Sequence, residues 1–471
     1  MFRVAALRSA LLRPVSGASL AAYRAAFGIT VAVEVARYFA HGWVWAYYVE
    51  PPIRLTYFGW GWVPGAPYGV LVGVFLALAA CGLSLAAGFA TRLAAVLTTL
   101  GLGYVFLLEQ GRYLNHFYLM VLMAALLALL PAGHAWSADA RLASGRWRGD
   151  GTVPAWAVWA VRAHLGIVYA FAAVAKLNPD WLRGEPITTW LAPTFAGSPV
   201  DFILDLPGWG LAFAWGGLAL DALALPLLLW RRTRVPMALA LMGFHLFNAW
   251  AFSIGVFPWL MIAVLPIFFA PDWPERLWAR LPRGAAEAAP PELDARPARA
   301  APPRPVVAAL LAAFFVSQLA LPLRHWLVPG DVAWTEEGHL YSWRMKLRSK
   351  RAPFAELDVV TDRDAWTVRP DDVLVSWQAR KAPTRPDLLL QLAHALRDDA
   401  RAAGHDSVRV YARVEVQLND RPPQLFVDPT VDLAAEPRSW RRKAWIVPLD
   451  PDGRGPRLAE IEPSLRARMT P

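Results

Sequence analysis

Long apolar stretches separated by short polar or basic loops dominate the first two-thirds of the chain. A helix needs about 20 mainly apolar residues to cross a bilayer. About nine stretches approach this, at residues 18–40, 67–89, 93–109, 115–131, 154–176, 207–230, 234–251, 254–270 and 304–325. The third, fourth and eighth are short, and Arg24, Glu34 and Arg37 interrupt the first. Arg3, Arg8 and Arg13 precede the first stretch, but no clean apolar core with a small-residue cleavage site follows, so the first helix is read as retained. Beyond about residue 326 the long runs stop and charges become frequent. Val408–Leu418 alternates with period two, which predicts a strand, and residues 386–404 have helical period with Pro386 suited to the first turn. The pattern predicts an α-helical polytopic membrane protein with a C-terminal α+β extramembrane domain. Residues 1–325 form the transmembrane domain and 326–471 the α+β domain, with Pro/Ala-rich residues 283–305 as a flexible linker before the last span.

Charge adds an orientation. One set of alternate loops holds sixteen arginines, from Arg3 to Arg304, while the other set holds only Arg54, Arg112 and Arg183. Basic loops stay cytoplasmic, so the N-terminus and the linker are expected inside and the C-terminal domain outside. The net charge of +10 then belongs to these loops, and no nucleic-acid partner is expected. Arginine- and alanine-rich usage suggests a high-GC bacterium, hence a multi-pass inner-membrane protein with a periplasmic C-terminal domain. A 56% hydrophobic content excludes disorder over most of the chain. Cys81 is the single cysteine, so no internal disulfide and no cysteine-based metal site can form. No P-loop, dinucleotide-binding glycine fingerprint or HExxH motif occurs, and no metal is expected.

Ionisable groups inside spans are costly and are functional candidates by default. Lys176 ends the fifth span, where it reads either as a lysine snorkelling to the headgroups or as a desolvated amine base. Asn115 and His116 open the fourth span at the same level, His245 and Asn248 lie near the outer end of the seventh, Ser253 follows, and Arg162 sits deeper in the fifth. Membrane histidines more often join helices than catalyse, but convergence at one depth raises the functional reading. A bis-histidine haem built from His116, His134, His164 and His245 is a weaker alternative, because their depths do not pair cleanly. In the C-terminal domain the basic run Arg344, Lys346, Arg348, Lys350 and Arg351, and also Arg421, could pair a substrate carboxylate or simply form a solvated basic surface.

These residues sit in segments that resemble the vitamin K-dependent gamma-glutamyl carboxylases and their bacterial HTTM relatives. The similarity runs through Ser19–Gly28, Asn115-His-Phe-Tyr-Leu119, His134–Asp139, Arg162, Ile167–Leu177 with Asp180-Trp181, and His245-Leu-Phe-Asn248 with Phe252–Phe257. It continues in Leu340-Tyr-Ser-Trp343, Asn419-Asp-Arg421 and Phe426–Asp432. The resemblance implies that Lys176 is the catalytic base and that His116 orients and tunes it. It implies a reduced-quinone site formed by Asn115 and His245, with Asn248, Arg162 and Ser253 from the same matched segments. Substrate binding falls to Tyr341, Trp343, Arg348, Lys350 and Arg421. The cofactor implied is reduced vitamin K or a menaquinol-type naphthohydroquinone, with O2 and CO2 as co-substrates. Its oxidation to the epoxide supplies a base strong enough to remove the γ-proton of a glutamate, which then takes up CO2. A lipid-soluble quinone from the bilayer and a Glu-containing peptide or protein are the implied partners.

The chain departs from the animal pattern. Ala175 stands where animal enzymes commonly carry a second lysine, a change expected to cost little. The cysteines that link membrane and lumenal parts are absent, so the two parts are expected to hold together by packing. Two alternatives remain at this stage: a hydroquinone epoxidase without protein carboxylation, and a non-enzymatic quinone- or lipid-binding membrane protein.

Overall fold

Helices form over all the predicted stretches because each run is mainly apolar, and the prolines inside two of them, Pro226 and Pro322, sit near the helix ends. The computed structural model describes residues 2–149, 151–280 and 302–459. Residues 283–301 of the expected linker and 460–471 of the C-terminal region lie outside the described residues. The principal helices are α1 (Ala18–Ala40), α2 (Tyr68–Ala87), α3 (Thr91–Leu108), α4 (Asn115–Leu129), α5 (Ala155–Lys176), α6 (Trp209–Leu229), α7 (Arg234–Ala251), α8 (Phe257–Val264) and α9 (Pro305–Leu323).

Among the described residues, six helices are long and apolar enough to cross a membrane: α1, α2, α3, α5, α6 and α9. The expected count of nine is therefore not reached on length and composition. Helix α4 has 15 residues, and α8 has 8 before it tightens into a 3-10 turn. Helix α7 has 18 residues, but Arg234, His245 and Asn248 dilute its apolar character. Helix α9 leaves most of its apolar surface uncovered, including Val306 at 70% and Val316 at 64% exposure, as a lipid-facing helix should.

The charges in α1 are absorbed locally. Arg24 is buried and donates to the carbonyls of Leu85 (2.8 Å), Ala132 (2.7 Å) and Trp136 (2.7 Å). Glu34 pairs with Arg37 at 2.6 Å. Helices α1 and α2 approach so closely that a Cβ on Gly28 would lie 2.4 Å from the Gly82 carbonyl oxygen, the small-residue contact that lets membrane helices pack.

Strands β1 (Pro14–Ser16) and β2 (Thr152–Pro154) form a short antiparallel pair that ties the N-terminal segment to the start of α5. The C-terminal region carries a four-stranded antiparallel sheet of β3 (Lys350–Thr361), β4 (Ala365–Val368), β5 (Val408–Leu418) and β6 (Gln424–Leu425), in the order β4-β3-β5-β6. Helix α10 (Pro386–Ala402) packs its apolar face on this sheet. Val408, Val410, Ala412, Val414, Val416 and Leu418 all point inward, as the alternation predicts.

The two parts are joined by polar contacts as well as packing. Gln378 Nε2 donates to the carbonyl of Ile53 (2.9 Å) and to Glu109 (3.1 Å). Gln391 accepts from the Thr56 amide at 2.7 Å, and Arg438 donates to the Thr56 carbonyl at 2.7 Å. Asp180, just beyond α5, takes a bidentate pair of 2.7 Å bonds from Arg421.

Candidate functional site

The end of α5 nearest the C-terminal domain opens onto a cavity of about 470 Å³ between α5, α6, α7 and α8. Its walls are mostly aromatic and aliphatic, with Tyr169, Trp181, Phe213, Phe247, Phe252 and Phe257 among them. Lys176 is the last residue of α5 and points into this cavity instead of out to the headgroups. It is 6% exposed, and its Nζ lies 2.5 Å from Asp221 Oδ2 on α6, itself 5% exposed. The Trp181 ring covers the ammonium, with its centroid 5.1 Å from Nζ, and is fixed by a 2.8 Å bond from its Nε1 to the Ala214 carbonyl.

Local sequence explains the arrangement. Asn178 caps the short helix Pro179–Leu182 by accepting from the Trp181 amide at 3.0 Å, which turns the chain back over Lys176. Gly217 lies one turn before Asp221 on α6, so the same helix face carries the carboxylate and leaves space beside Trp181 and Lys176.

Across the cavity on α7, His245 Nε2 lies 3.0 Å from the hydroxyl of Tyr169 on α5, while His245 Nδ1 is buried without a hydrogen-bond partner among the described residues. Asn248 also lines the cavity. Lys346 lines it from the C-terminal domain side, with its ammonium 4.8 Å from the Phe252 ring and 5.2 Å from the Trp190 ring.

The remaining sequence candidates lie elsewhere. His116 packs against Phe257 at 6.3 Å, the same ring that His245 meets at 5.9 Å. Among the described residues no hydrogen bond joins His116 to Lys176; the group that orients the lysine is Asp221. The Asn115 carboxamide accepts from the Tyr113 hydroxyl at 3.0 Å and donates to the Arg344 carbonyl at 3.2 Å, holding α4 to the C-terminal region. Arg162 donates to the carbonyls of Ile267 (2.8 Å) and Phe269 (2.7 Å), which satisfies the turn after α8 away from the cavity. Ser253 is exposed in a separate depression that also holds Arg37 and Gly255.

In the C-terminal region most of the basic candidates are already engaged. Arg348 pairs with Glu336 at 2.5 Å, and Lys350 lies 3.5 Å from the same carboxylate. Burial pushes the Glu336 carboxyl up, but Arg348, His339 and Lys350 outweigh it and bring it down to about 2. Arg421 is committed to Asp180. Tyr341 faces a second cavity, and Trp343 is fully buried beside Tyr118 (5.2 Å) and His164 (6.3 Å). Tyr341, Trp343 and Lys346 have φ of 61°, 56° and 50°, so the segment between the two cavities is strained at three non-glycine positions.

Asp221 is the functional candidate that sequence reasoning passed over. The signal was present: a lone aspartate in the apolar run Leu218-Ala-Leu-Asp-Ala-Leu-Ala-Leu225 meets the rule that singled out Lys176. Ala175 turns into an apolar cluster with Trp181, Ile187, Leu191 and Leu347.

The HTTM domain family matches residues 12–273, and the lumenal domain of vitamin K-dependent gamma-carboxylase matches residues 303–452. No solved structure matches the chain at a significant level. With both parts matched in this order around one buried lysine cavity, the chain belongs to the vitamin K-dependent gamma-carboxylase family of HTTM-domain membrane proteins.

Proposed function

We propose that this protein is a carboxylase-type enzyme in which Lys176 and Asp221 act as one proton-accepting unit toward a reduced naphthoquinone. The observation that carries the reading is the buried 2.5 Å contact between them inside an aromatic cavity. With its proton on either partner, the pair has no net charge. Accepting one more proton gives an ammonium beside a neutral carboxylic acid, and leaves one positive charge facing the anion from which the proton came. Both side chains are buried, which strengthens that interaction relative to bulk water.

Three features fit a flat, apolar ligand with two hydroxyls. The walls are aromatic, the unpartnered His245 Nδ1 is available for a hydrogen bond, and Asn248 supplies an amide on the same helix. The naphthohydroquinone, when bound, supplies the O2-driven oxidation that makes a base strong enough for a glutamate γ-carbon. In this reading His245 and Asn248 bind the quinone. His116 is a positioning residue that holds Phe257, and Asn115 fixes α4 against the C-terminal domain.

The glutamate acceptor reaches the cavity past Met345 and Lys346, the residues of the C-terminal domain on its wall. One observation favours a second reading, epoxidation without protein carboxylation: Arg348, Lys350 and Arg421 are held by internal carboxylates. Vitamin K hydroquinone, O2, labelled bicarbonate and a Glu-containing peptide in one assay separate the readings. Epoxide with label fixed on the peptide is the expected result, epoxide alone would favour the second reading, and neither product would overturn both. The orientation proposed places the N-terminus in the cytoplasm and this cavity toward the periplasmic side of a bacterial inner membrane.

A further inference from the structure

A second cavity, of about 550 Å³, lies where the ends of α3, α4 and α9 meet the C-terminal domain, and none of its wall residues also lines the Lys176 cavity. Its membrane side is apolar, with Phe106, Leu107, Val121 and Leu321 on the wall. Its domain side is basic, with Arg324, Arg385 and Lys443. Leu327, Trp60 and Trp440 stand at its margin, 86%, 41% and 60% exposed, so the cavity opens sideways at the level of the helix ends.

Two donors in it are unspent. Tyr57 is 2% exposed, and its hydroxyl is buried without a hydrogen-bond partner among the described residues. The Arg385 guanidinium makes no hydrogen bond or ion pair among the described residues. Glu336 attracts it through space, but the acids on the same wall have nearer basic partners. Glu336 is held by Arg348, Asp387 by Arg438 at 2.9 Å, and Glu337 lies 4.0 Å from Lys443. Arg324 lies between the rings of Tyr341 (5.8 Å) and Trp440 (5.7 Å) and adds a further positive charge. A half-buried guanidinium and a buried hydroxyl, both donors, call for a ligand with acceptor oxygens and negative charge. The apolar wall calls for a hydrocarbon body.

We propose that this cavity binds an amphiphile with an oxyanion head, drawn from the leaflet beside the C-terminal domain. The head accepts from Arg385 and Tyr57, and the hydrocarbon chain runs along α3, α4 and α9. A phospholipid phosphate and a fatty-acid carboxylate share this chemistry. The site does not depend on the carboxylase reading.

The test is native mass spectrometry of delipidated full-length protein in detergent, titrated separately with phosphatidylglycerol, oleate and phosphatidylcholine. The expected result is tighter retention of one anionic amphiphile than of phosphatidylcholine. Arg385→Gln should weaken that retention about tenfold, the effect of losing one hydrogen bond to a charged group, and Arg385→Lys should restore part of it. Tyr57→Phe should weaken it a few-fold, and serves as the probe if the arginine variant fails to fold. Preference for phosphatidylglycerol assigns a phosphate head, and preference for oleate a carboxylate. Equal retention of phosphatidylcholine, or unchanged anion binding in folded Arg385→Gln and Tyr57→Phe variants, would overturn the proposal.

Discussion

Lys176 Nζ lies 2.5 Å from Asp221 Oδ2, joining the last turn of α5 to the middle of α6 inside an apolar cavity. A buried pair of this kind is poor evidence for stability, because desolvation offsets much of its attraction. Its worth depends on whether both partners stay.

Single replacements should therefore be worse for the fold than the double one. Lys176→Met and Asp221→Leu each leave one uncompensated charge in the cavity, at a cost of about 3–5 kcal/mol. The double variant should recover most of that loss while losing the chemistry. Melting temperatures of the three variants in one detergent check this; a double variant less stable than either single one would contradict it.

Asp221→Asn tests the shared proton more finely. Without the carboxylate, only a neutral Lys176 can accept a proton, so turnover should rise with pH where the wild-type profile is flatter. Asp221→Glu should restore part of the rate and of the flat profile. An Asp221→Asn profile parallel to that of the wild type would leave Asp221 with a purely structural role.

Arg421 and Asp180 tie the C-terminal domain to the segment after α5. Burial pushes the Asp180 carboxyl up, but the hydrogen bonds and charge of Arg421, with Asn419 and Arg183, outweigh it and hold it below its usual 3.8. A depressed carboxyl stabilises the fold fully above that ordinary value, and the contribution fades as pH falls through the lower folded value. Arg421→Ala should cost about 2 kcal/mol at neutral pH, less than a fully isolated buried pair because Asn419 and Arg183 remain. The gap in melting temperature between wild type and variant should narrow as pH drops below about 4, the ordinary carboxylate range.

Ala175→Lys should destabilise the protein although it restores a residue found in animal relatives. The side chain would enter the cluster of Trp181, Ile187, Leu191 and Leu347. Overpacking there costs about 1–3 kcal/mol before the buried charge is counted. A melting temperature equal to the wild type would show that this cluster can open.

Most of the architecture was legible because it follows from period and hydropathy. The alternation that predicts a strand over Val408–Leu418 appears with those bounds, and the helical period at 386–404 appears as Pro386–Ala402. Strand β3 was not legible, because Pro353 and a bulge between Arg351 and Phe354 break its alternation. Lys176 stood out as a charge at a span end, but its partner did not, because the meeting of α5 and α6 depends on how the helices cross. The basic run at 344–351 showed which residues carry charge and not which are already paired. Glu336 and Asp180 take up three of the candidates, a fact of tertiary contact alone.

The measurement that bears most directly on the central claim is epoxide formation from vitamin K hydroquinone and O2 by wild type and Lys176→Ala, both purified and shown to be folded. A positioned general base contributes about 10²–10⁴-fold. The account predicts epoxide from the wild type and a fall of at least about a hundredfold in Lys176→Ala. Equal turnover by the two proteins would contradict it.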